Sequence, residues 1–316
     1  MHAAKPSHRR RPLIPARWAP YVFISPFFIL FAAFGLFPLL FSVALSLHQW
    51  DPVGGAWSMR WVGLDNFAYA VLRDDWLRKA MFNTVWIALV SGLPQHLVAL
   101  PLAWFLHRAF GRWRNAVVGA YFLPFITSTV AISLVFSSLF SKDFGLVNAA
   151  FATLRQVPVL GWLMPGQAID WSQPGYTKWM ISAVVFWRYV GWNTVLYLSA
   201  IQTIPPELLE AAQIDGASAR QRFVHIVLPL LRPMVFLAVT LSLIGNLQLF
   251  EEPFILTGGK GGPQQSAMTS AVYLFREAFD FNDFGGASAM SWLLFVVVAL
   301  LTWLTNLAFR TRKGAA

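Results

Sequence analysis

Six long apolar runs, each with few or no charged residues, constrain this 316-residue chain most strongly. A bilayer core about 30 Å thick needs roughly 20 mostly apolar residues in a helix, and every run reaches that length. With 57% hydrophobic and only 12% charged residues, the composition is also unlike that of a water-soluble domain. We therefore predict an all-α polytopic membrane protein with spans at residues 21–47, 82–106, 116–140, 179–201, 233–257 and 288–309.

The Lys and Arg residues outside these runs are distributed unequally between the two sides. Fourteen of the 24 fall at the termini and in the second and fourth connections, and nine fall in the other three connections. Because positively charged connections stay in the cytoplasm, both termini are predicted to be cytoplasmic. Basic tails at 1–20 and 310–316 then flank a transmembrane domain at 21–309. The charge excess indicates orientation and contact with anionic lipid, and it predicts no nucleic-acid partner.

The fourth connection, residues 203–233, has the pattern of two short helices separated by Gly216. Prolines at 205–206 suit a first helical turn, where a missing N–H costs nothing. Gly216 can end that helix in the left-handed region, and Ser218 with Gln221 forms a capping box for the next helix. The sequence therefore predicts a helix, a glycine turn and a second helix.

Helices this short are marginal in water and need a surface to pack against. Ala211 and Ala212 give the first helix a flat face, and Glu210 and Asp215 offer carboxylates to basic groups of a partner. The alternative is a hairpin packed only on the ends of the chain's own spans. In either case we expect Pro229 to end the second helix.

This connection resembles the EAA loop of the membrane subunits of binding-protein-dependent ABC importers. The residues that carry the resemblance are Glu210-Ala211-Ala212, Asp215-Gly216-Ala217, Phe223 and Leu228-Pro229. Segments 63–67, 143–148, 249–259 and 286–289 resemble the sugar-permease branch of that family, and are similar to the larger permease of the maltose importer. One departure is the glycine-rich stretch 257–263, which an inserted Lys-Gly lengthens.

The resemblance implies an ABC type I importer permease fold with six transmembrane helices in the bacterial plasma (inner) membrane. It also implies three partners: a second permease subunit, an ATPase dimer that holds ATP and Mg, and an extracytoplasmic sugar-binding protein. The ATPase-coupling residues carried over are Glu207, Glu210, Ala211, Ala212, Asp215, Gly216, Ala217 and Phe223. The chain contains no Gly-x-x-x-x-Gly-Lys-[Ser/Thr] motif and no recognisable catalytic constellation, so we expect no catalysis and no cofactor on this chain.

Polar residues inside spans are costly, and they nominate a substrate path. Arg188 lies near the middle of the fourth run, with Trp192 and Asn193 about one turn further along. These residues either line an aromatic cavity or, alternatively, Arg188 pairs with Glu251 or Glu252 to lock two helices together.

The fifth run supplies the other path candidates. By resemblance to the maltose permease, Asn246, Gln248 and Glu251 are predicted to contact a sugar. Asn and Gln side chains also join helices in membranes, so this reading stays open for each of them. Gln95 and His96 of the second run are interpreted as contacts between helices.

Two other classes of protein remain as alternatives. A secondary transporter driven by an ion gradient needs an intramembrane relay and often an inverted repeat, but the first, third and sixth runs hold no ionisable residue and no repeat is visible. A membrane-embedded enzyme needs a catalytic constellation that the sequence does not present. The sequence therefore favours the importer permease.

Overall fold

The computed structural model describes residue 15 and residues 17–109 and 111–309. The basic residues of the predicted tails at positions 5, 9–11, 310, 312 and 313 lie outside this part of the chain. Within it helices dominate, and two short antiparallel strands, β1 (His48–Gln49) and β2 (Arg60–Trp61), pair in the first connection. The predicted all-α class is confirmed.

The helices run along the chain in the following order, with 3-10 and π-helical turns and the three-residue turn Leu228–Leu230 left aside. They are α1 Ala19–Ser46, α2 Asp65–Leu72, α3 Asp75–Ala109, α4 Arg114–Ile126, α5 Thr129–Leu139, α6 Leu146–Arg155, α7 Thr177–Ile201, α8 Pro206–Ile214, α9 Ala219–Arg222, α10 Arg232–Leu247, α11 Glu251–Leu256, α12 Ser270–Phe279 and α13 Phe284–Phe309. A π-helical turn interrupts α1 at Ala32–Leu36.

Helices occupy all six predicted runs, but the count of six spans is not confirmed. In the described part of the chain, α1, α3, the α10–α11 unit and α13 are long and apolar enough to cross a membrane. The α4–α5 pair, bent by 94°, adds a fifth when it is counted as one span. The remaining helix, α7, has 25 residues but falls outside this apolar set, and its charged, amide and aromatic side chains lower its hydropathy.

Although it falls outside this apolar set, α7 lies at the centre of the packing. It runs along α3 and also contacts α4 and α10. Its side chains Ile181, Val184 and Tyr197 are fully buried. Gly191 of α7 lies so close to the Tyr121 carbonyl of α4 that a Cβ would overlap with it, as expected where small residues let membrane helices approach.

The connection at residues 141–178 is largely irregular and contains one short helix. Helix α6 and a 3-10 turn at Gly161–Leu163 are its regular elements. The Asn148 side chain joins the two arms of the connection. Its Nδ2 donates to the carbonyls of Lys142 at 3.1 Å and Ile169 at 2.9 Å, and its Oδ1 accepts from the Ile169 N–H at 3.1 Å.

The lengthened glycine-rich turn after α11 is also held in place. Four of its glycines have positive φ, between 61° and 77°, and the Thr257 hydroxyl accepts from the N–H of Gly261 at 3.0 Å. Lys79 and Asn83 of α3 donate to backbone carbonyls of residues 264, 265 and 268. These bonds fix the turn against α3, at the end of α7 opposite the 203–233 connection.

Candidate functional site

The connection at 203–233, called the coupling loop below, begins as predicted. Helix α8 starts at Pro206 and ends at Ile214, and Gly216 has φ +84°. The N–H of Ala217 donates to the carbonyl of Ala212 at 2.9 Å, and the Gly216 N–H donates to Gln213 at 3.1 Å. This pair of bonds is a Schellman motif, which places a left-handed residue after the helix. The predicted glycine turn is confirmed.

The second helix of the loop confirms one prediction and contradicts another. The capping box is present, because the N–H of Ser218 donates to Gln221 Oε1 at 2.8 Å and the Gln221 N–H donates to Ser218 Oγ at 3.3 Å. The prediction that Pro229 ends this helix was wrong. After α9 the chain continues through a π-helical turn, Phe223–Val227, and a helical turn, Leu228–Leu230. Pro229 lies at the start of that last turn, where its missing N–H is tolerated.

The inner side of the coupling loop is fastened to the transmembrane helices. The Arg222 guanidinium donates from Nη1 to Gln213 Oε1 at 2.7 Å and thereby joins α9 to α8. Phe223 stacks on Trp104 of α3 with ring centroids 6.1 Å apart, and Leu209 packs on the buried cluster around α3 and α7. Packed side chains therefore connect the coupling loop to the transmembrane helices.

The outer side of the loop is exposed and unpaired. Glu207, Glu210 and Asp215 are exposed, and within residues 17–109 and 111–309 no group makes an ion pair or hydrogen bond with their carboxylates. Ile214 is 87% exposed and Leu208 47% exposed. This combination of free carboxylates and bare aliphatic side chains suits contact with a protein surface that carries basic groups.

The remaining coupling candidates divide between the two sides of the loop. Ala211 and Gly216 are exposed, whereas Ala212, Ala217 and Phe223 are half-buried. A Cβ added at Gly216 would contact no neighbouring atom, so the free-energy cost of a substitution there comes from the positive φ of the backbone alone.

The fifth predicted span contains a break that the sequence reading did not anticipate. Helix α10 ends at Leu247 and α11 begins at Glu251, so residues 248–250 are not helical. Unwound backbone within a membrane needs polar partners, and the Leu249 carbonyl accepts from the buried Thr269 hydroxyl at 2.8 Å. The break turns Gln248 and Glu251 outward, and both are exposed.

Arg188 pairs with Glu252. Its Nη1 donates to Glu252 Oε1 at 2.5 Å, and the two residues are only 8% and 2% exposed. The guanidinium also lies over the ring of Tyr189, 5.3 Å from its centroid. Of the two arrangements left open by the sequence, the structure therefore has the ion pair, which joins α7 to α11. A charge at this depth is tolerated when it is paired.

Two more path candidates are buried between helices. Asn193 is fully buried, donates to Gln95 Oε1 at 3.2 Å and accepts from the Ser242 hydroxyl at 3.4 Å. It therefore links α7 to α3 and α10. Asn246 is 6% exposed and lies beside Gly92 of α3, where a Cβ would be 2.9 Å from its amide nitrogen. Sequence reasoning gave Gln95 a structural role, and its bond to Asn193 agrees with that interpretation.

Three path candidates remain accessible. Gln248 lies in the break and Glu251 begins the helix after it, and Trp192 is half-buried with its ring stacked on Phe125, 4.5 Å between centroids. The structure thus separates the six predicted residues into accessible groups and groups that hold helices together. The sequence alone does not distinguish Glu251 from Glu252 as the partner of Arg188. The backbone break determines which of the two side chains is buried.

A cluster of acidic and phenolic groups lies at the end of the molecule opposite the coupling loop. Asp74 is buried and accepts from the Tyr273 hydroxyl at 2.9 Å and from the Leu77 N–H at 2.8 Å. Burial, together with the charges of Asp283 and Asp74, raises the pKa of Glu277 on α12 to about 7. Among the residues that the structure describes, no group of three or more His, Cys, Asp or Glu side chains is arranged to hold a metal ion.

Each of the comparisons with known proteins covers most of this chain. The family described as binding-protein-dependent transport system inner membrane component matches residues 67–312. The chain belongs to this family. The lactose transport system permease protein LacF of Rhizobium radiobacter is 33% identical, over 93% of this chain and 94% of that protein. The arabinooligosaccharides permease AraP of Bacillus subtilis is 29% identical, over 99% and 95%.

Other matches agree on fold and family. The sn-glycerol-3-phosphate permease UgpA of Escherichia coli O157:H7 is 29% identical over 92% of this chain and 94% of its own. A crystal structure of a bacterial alginate ABC transporter, in complex with a pentasaccharide-bound periplasmic protein, contains a chain with TM-score 0.76 and 22% identity, covering 94% of this chain and 96% of that one. The importer permease fold is shown, and the secondary-transporter alternative receives no support.

Proposed function

We propose that the chain is one of two permease subunits of an ABC importer for a carbohydrate. The observation that carries this proposal is the similarity, over nearly the whole chain, to permeases named for lactose and for arabinooligosaccharides. The chain forms half of a translocation path in a bacterial inner membrane, with both termini in the cytoplasm. An extracytoplasmic binding protein delivers the sugar.

ATP hydrolysis belongs to a separate ATPase dimer that holds the nucleotide and Mg. This dimer docks on the coupling loop, where Glu207, Glu210 and Asp215 offer unpaired carboxylates beside the exposed Ile214. Closure of the dimer moves α8, and the Phe223–Trp104 contact carries the displacement to α3. Transport is then a population shift between inward- and outward-facing arrangements, driven by the different affinity of ATP for the two.

Within the path, Gln248, Glu251 and Trp192 are the proposed sugar contacts, because the first two are exposed at the helix break and Trp192 on α7 is only half-buried. An amide, a carboxylate and an indole together provide donors, acceptors and an apolar face for a polyhydroxylated ligand. Arg188, Asn193 and Asn246 hold the helices that present these groups.

Reconstitution of the complete complex in liposomes tests the proposal. We expect ATP-dependent uptake of lactose or an arabinooligosaccharide, and none with ATP omitted. Uptake of sn-glycerol-3-phosphate with no uptake of either sugar contradicts the carbohydrate assignment. Gln248→Ala should reduce sugar uptake more than basal ATPase activity, whereas Gln156→Ala, in the 141–178 connection, should change neither. Equal loss of both activities in Gln248→Ala contradicts a role in sugar contact.

A further inference from the structure

A cavity of about 470 Å³ lies at the end of the molecule opposite the coupling loop. It is open on one side and lined by the end of α5 with the residues that follow it, the start of α7 with the residues that precede it, the end of α11 and the glycine-rich turn. Thr177, at the beginning of α7, lines it, and the 25 residues of that helix separate it from the coupling loop by about 36 Å. The volume is that of a typical small-ligand site.

The wall of this cavity combines hydroxyl groups with aromatic rings. The hydroxyl-bearing residues that line it are Ser137, Ser138, Ser141, Ser172, Thr177 and Thr257. Phe144, an apolar ring 77% exposed, and Trp171 add aromatic surface, and Lys142 and Asp170 contribute one charge of each sign. Five of these hydroxyls, all but that of Ser141, donate to oxygens of the protein and so offer lone pairs to a ligand. Such acceptors, with Lys142 as a donor, aromatic faces and no excess charge, match a neutral polyhydroxylated ligand better than an ion or a lipid chain.

Two polar atoms in or directly behind this wall lack a partner. The indole Nε1 of Trp171 and the hydroxyl of Ser266 are buried, and no hydrogen-bond partner for either occurs among the described residues. The Ser266 oxygen is 3.4 Å from the position that a Cβ would take at Gly262, which lines the cavity. Buried polar groups are normally paired, so unpaired ones at a cavity indicate that water or a ligand supplies the partner.

The cavity is also rigidly framed. Asn148 bonds to the backbone on both sides of it, at Lys142 and Ile169, and the Trp171 ring meets the Phe140 ring edge-on at 4.9 Å. The Thr177 hydroxyl donates to the carbonyl of Gln173 at 2.8 Å. A preformed wall lowers the entropy cost of ordering a ligand there.

The cavity and one of the proposed sugar contacts share helix α11. Leu256 and Thr257, at the end of α11, form part of the wall, and Glu251 begins the same helix six residues earlier, about 9 Å along the axis. We propose that this cavity is a carbohydrate-binding subsite, occupied by the sugar before it reaches the helix break. The proposal rests on the proposed carbohydrate import, and it places a second sugar contact in the same chain.

The absence of cysteine allows a direct test in the assembled, liposome-reconstituted complex. Ser138→Cys places a thiol in the cavity, and Thr153→Cys places one outside it, on the exposed face of α6. We expect lactose or arabinotriose, whichever the complex imports, to slow maleimide labelling of Ser138→Cys about tenfold when present at about ten times its dissociation constant. Labelling of Thr153→Cys should not change.

Adding Phe144→Ala to Ser138→Cys should weaken this protection about two- to tenfold, while Phe144→Tyr should retain it. Unchanged labelling of Ser138→Cys in a complex that imports the sugar overturns the subsite and leaves the proposed function intact. Protection by the sugar-free binding protein alone identifies a protein-docking surface and also overturns it. Failure to import any carbohydrate overturns the subsite and the proposed function together.

Discussion

The coupling loop and the interior around α7 use polar side chains in opposite ways. In the interior, Arg188 pairs with Glu252, and Asn193 pairs with Gln95. In the loop, the carboxylates of Glu207, Glu210 and Asp215 are exposed and no described residue pairs with them. Paired polar groups fix the positions of helices, whereas unpaired ones are available to a partner. Substitutions should therefore affect stability in one region and coupling in the other.

The largest expected effect on stability is at the buried ion pair. Arg188→Ala leaves Glu252 as an uncompensated buried charge, and we expect a loss of about 3–5 kcal/mol in the free energy of unfolding. Thermal or denaturant unfolding of the purified protein measures this. The matched control is Arg188→Met combined with Glu252→Leu, which should recover most of the loss. A single variant as stable as the wild type contradicts the pairing.

Gly216 tests the loop through its backbone alone. Gly216→Val puts a β-branched residue at φ +84°, which should cost about 1–2 kcal/mol locally and displace the end of α8. We expect uptake to fall while membrane insertion is retained. Gly216→Asn is the matched control, since Asn tolerates the left-handed region. Equal uptake by the Val, Asn and wild-type proteins contradicts the requirement for this turn.

A smaller effect is expected at the amide pair. Asn193→Ala removes the bond to Gln95, and hydrogen bonds between membrane helices contribute about 0.6 kcal/mol on average and at most about 1.7 kcal/mol. The free energy of unfolding should fall by an amount in this range, and the selectivity among sugars should not change. A changed order of preference among imported sugars shows instead that Asn193 contacts substrate.

A further effect, at Glu277, should depend on pH. Because its folded pKa is raised from 4.5 to about 7, the folded state retains a proton that the unfolded state loses, and stability falls as pH rises through this window. Glu277→Gln should match the wild type at pH 4 and have the higher melting temperature at pH 8. Identical pH profiles of melting temperature contradict the raised pKa.

Sequence reasoning predicted those features that depend on neighbouring residues. The Gly216 turn and the Ser218–Gln221 capping box follow from local backbone chemistry, and both are present. The apolar runs also predicted the long helices, because the thickness of the membrane sets the length of such a run.

Features that depend on tertiary packing were not predictable in the same way. Pro229 continues a helix because the preceding π-helical turn changes the register of its hydrogen bonds. The choice of Glu252 over Glu251 follows from the break at 248–250, since adjacent residues on a helix point about 100° apart. The cavity near Phe144 assembles four segments that are distant in sequence, and its hydroxyls have no recognisable spacing.

Charge reversal in the coupling loop tests the central claim most directly, that the chain drives transport through contact of this loop with a separate ATPase. ATP-dependent uptake by the reconstituted complex should fall about tenfold or more in Glu210→Lys, the effect of losing about 1.4 kcal/mol or more of coupling. Its melting temperature should match that of the wild type, and uptake by the exposed control Gln156→Lys should be unchanged. Wild-type uptake in Glu210→Lys would contradict the account.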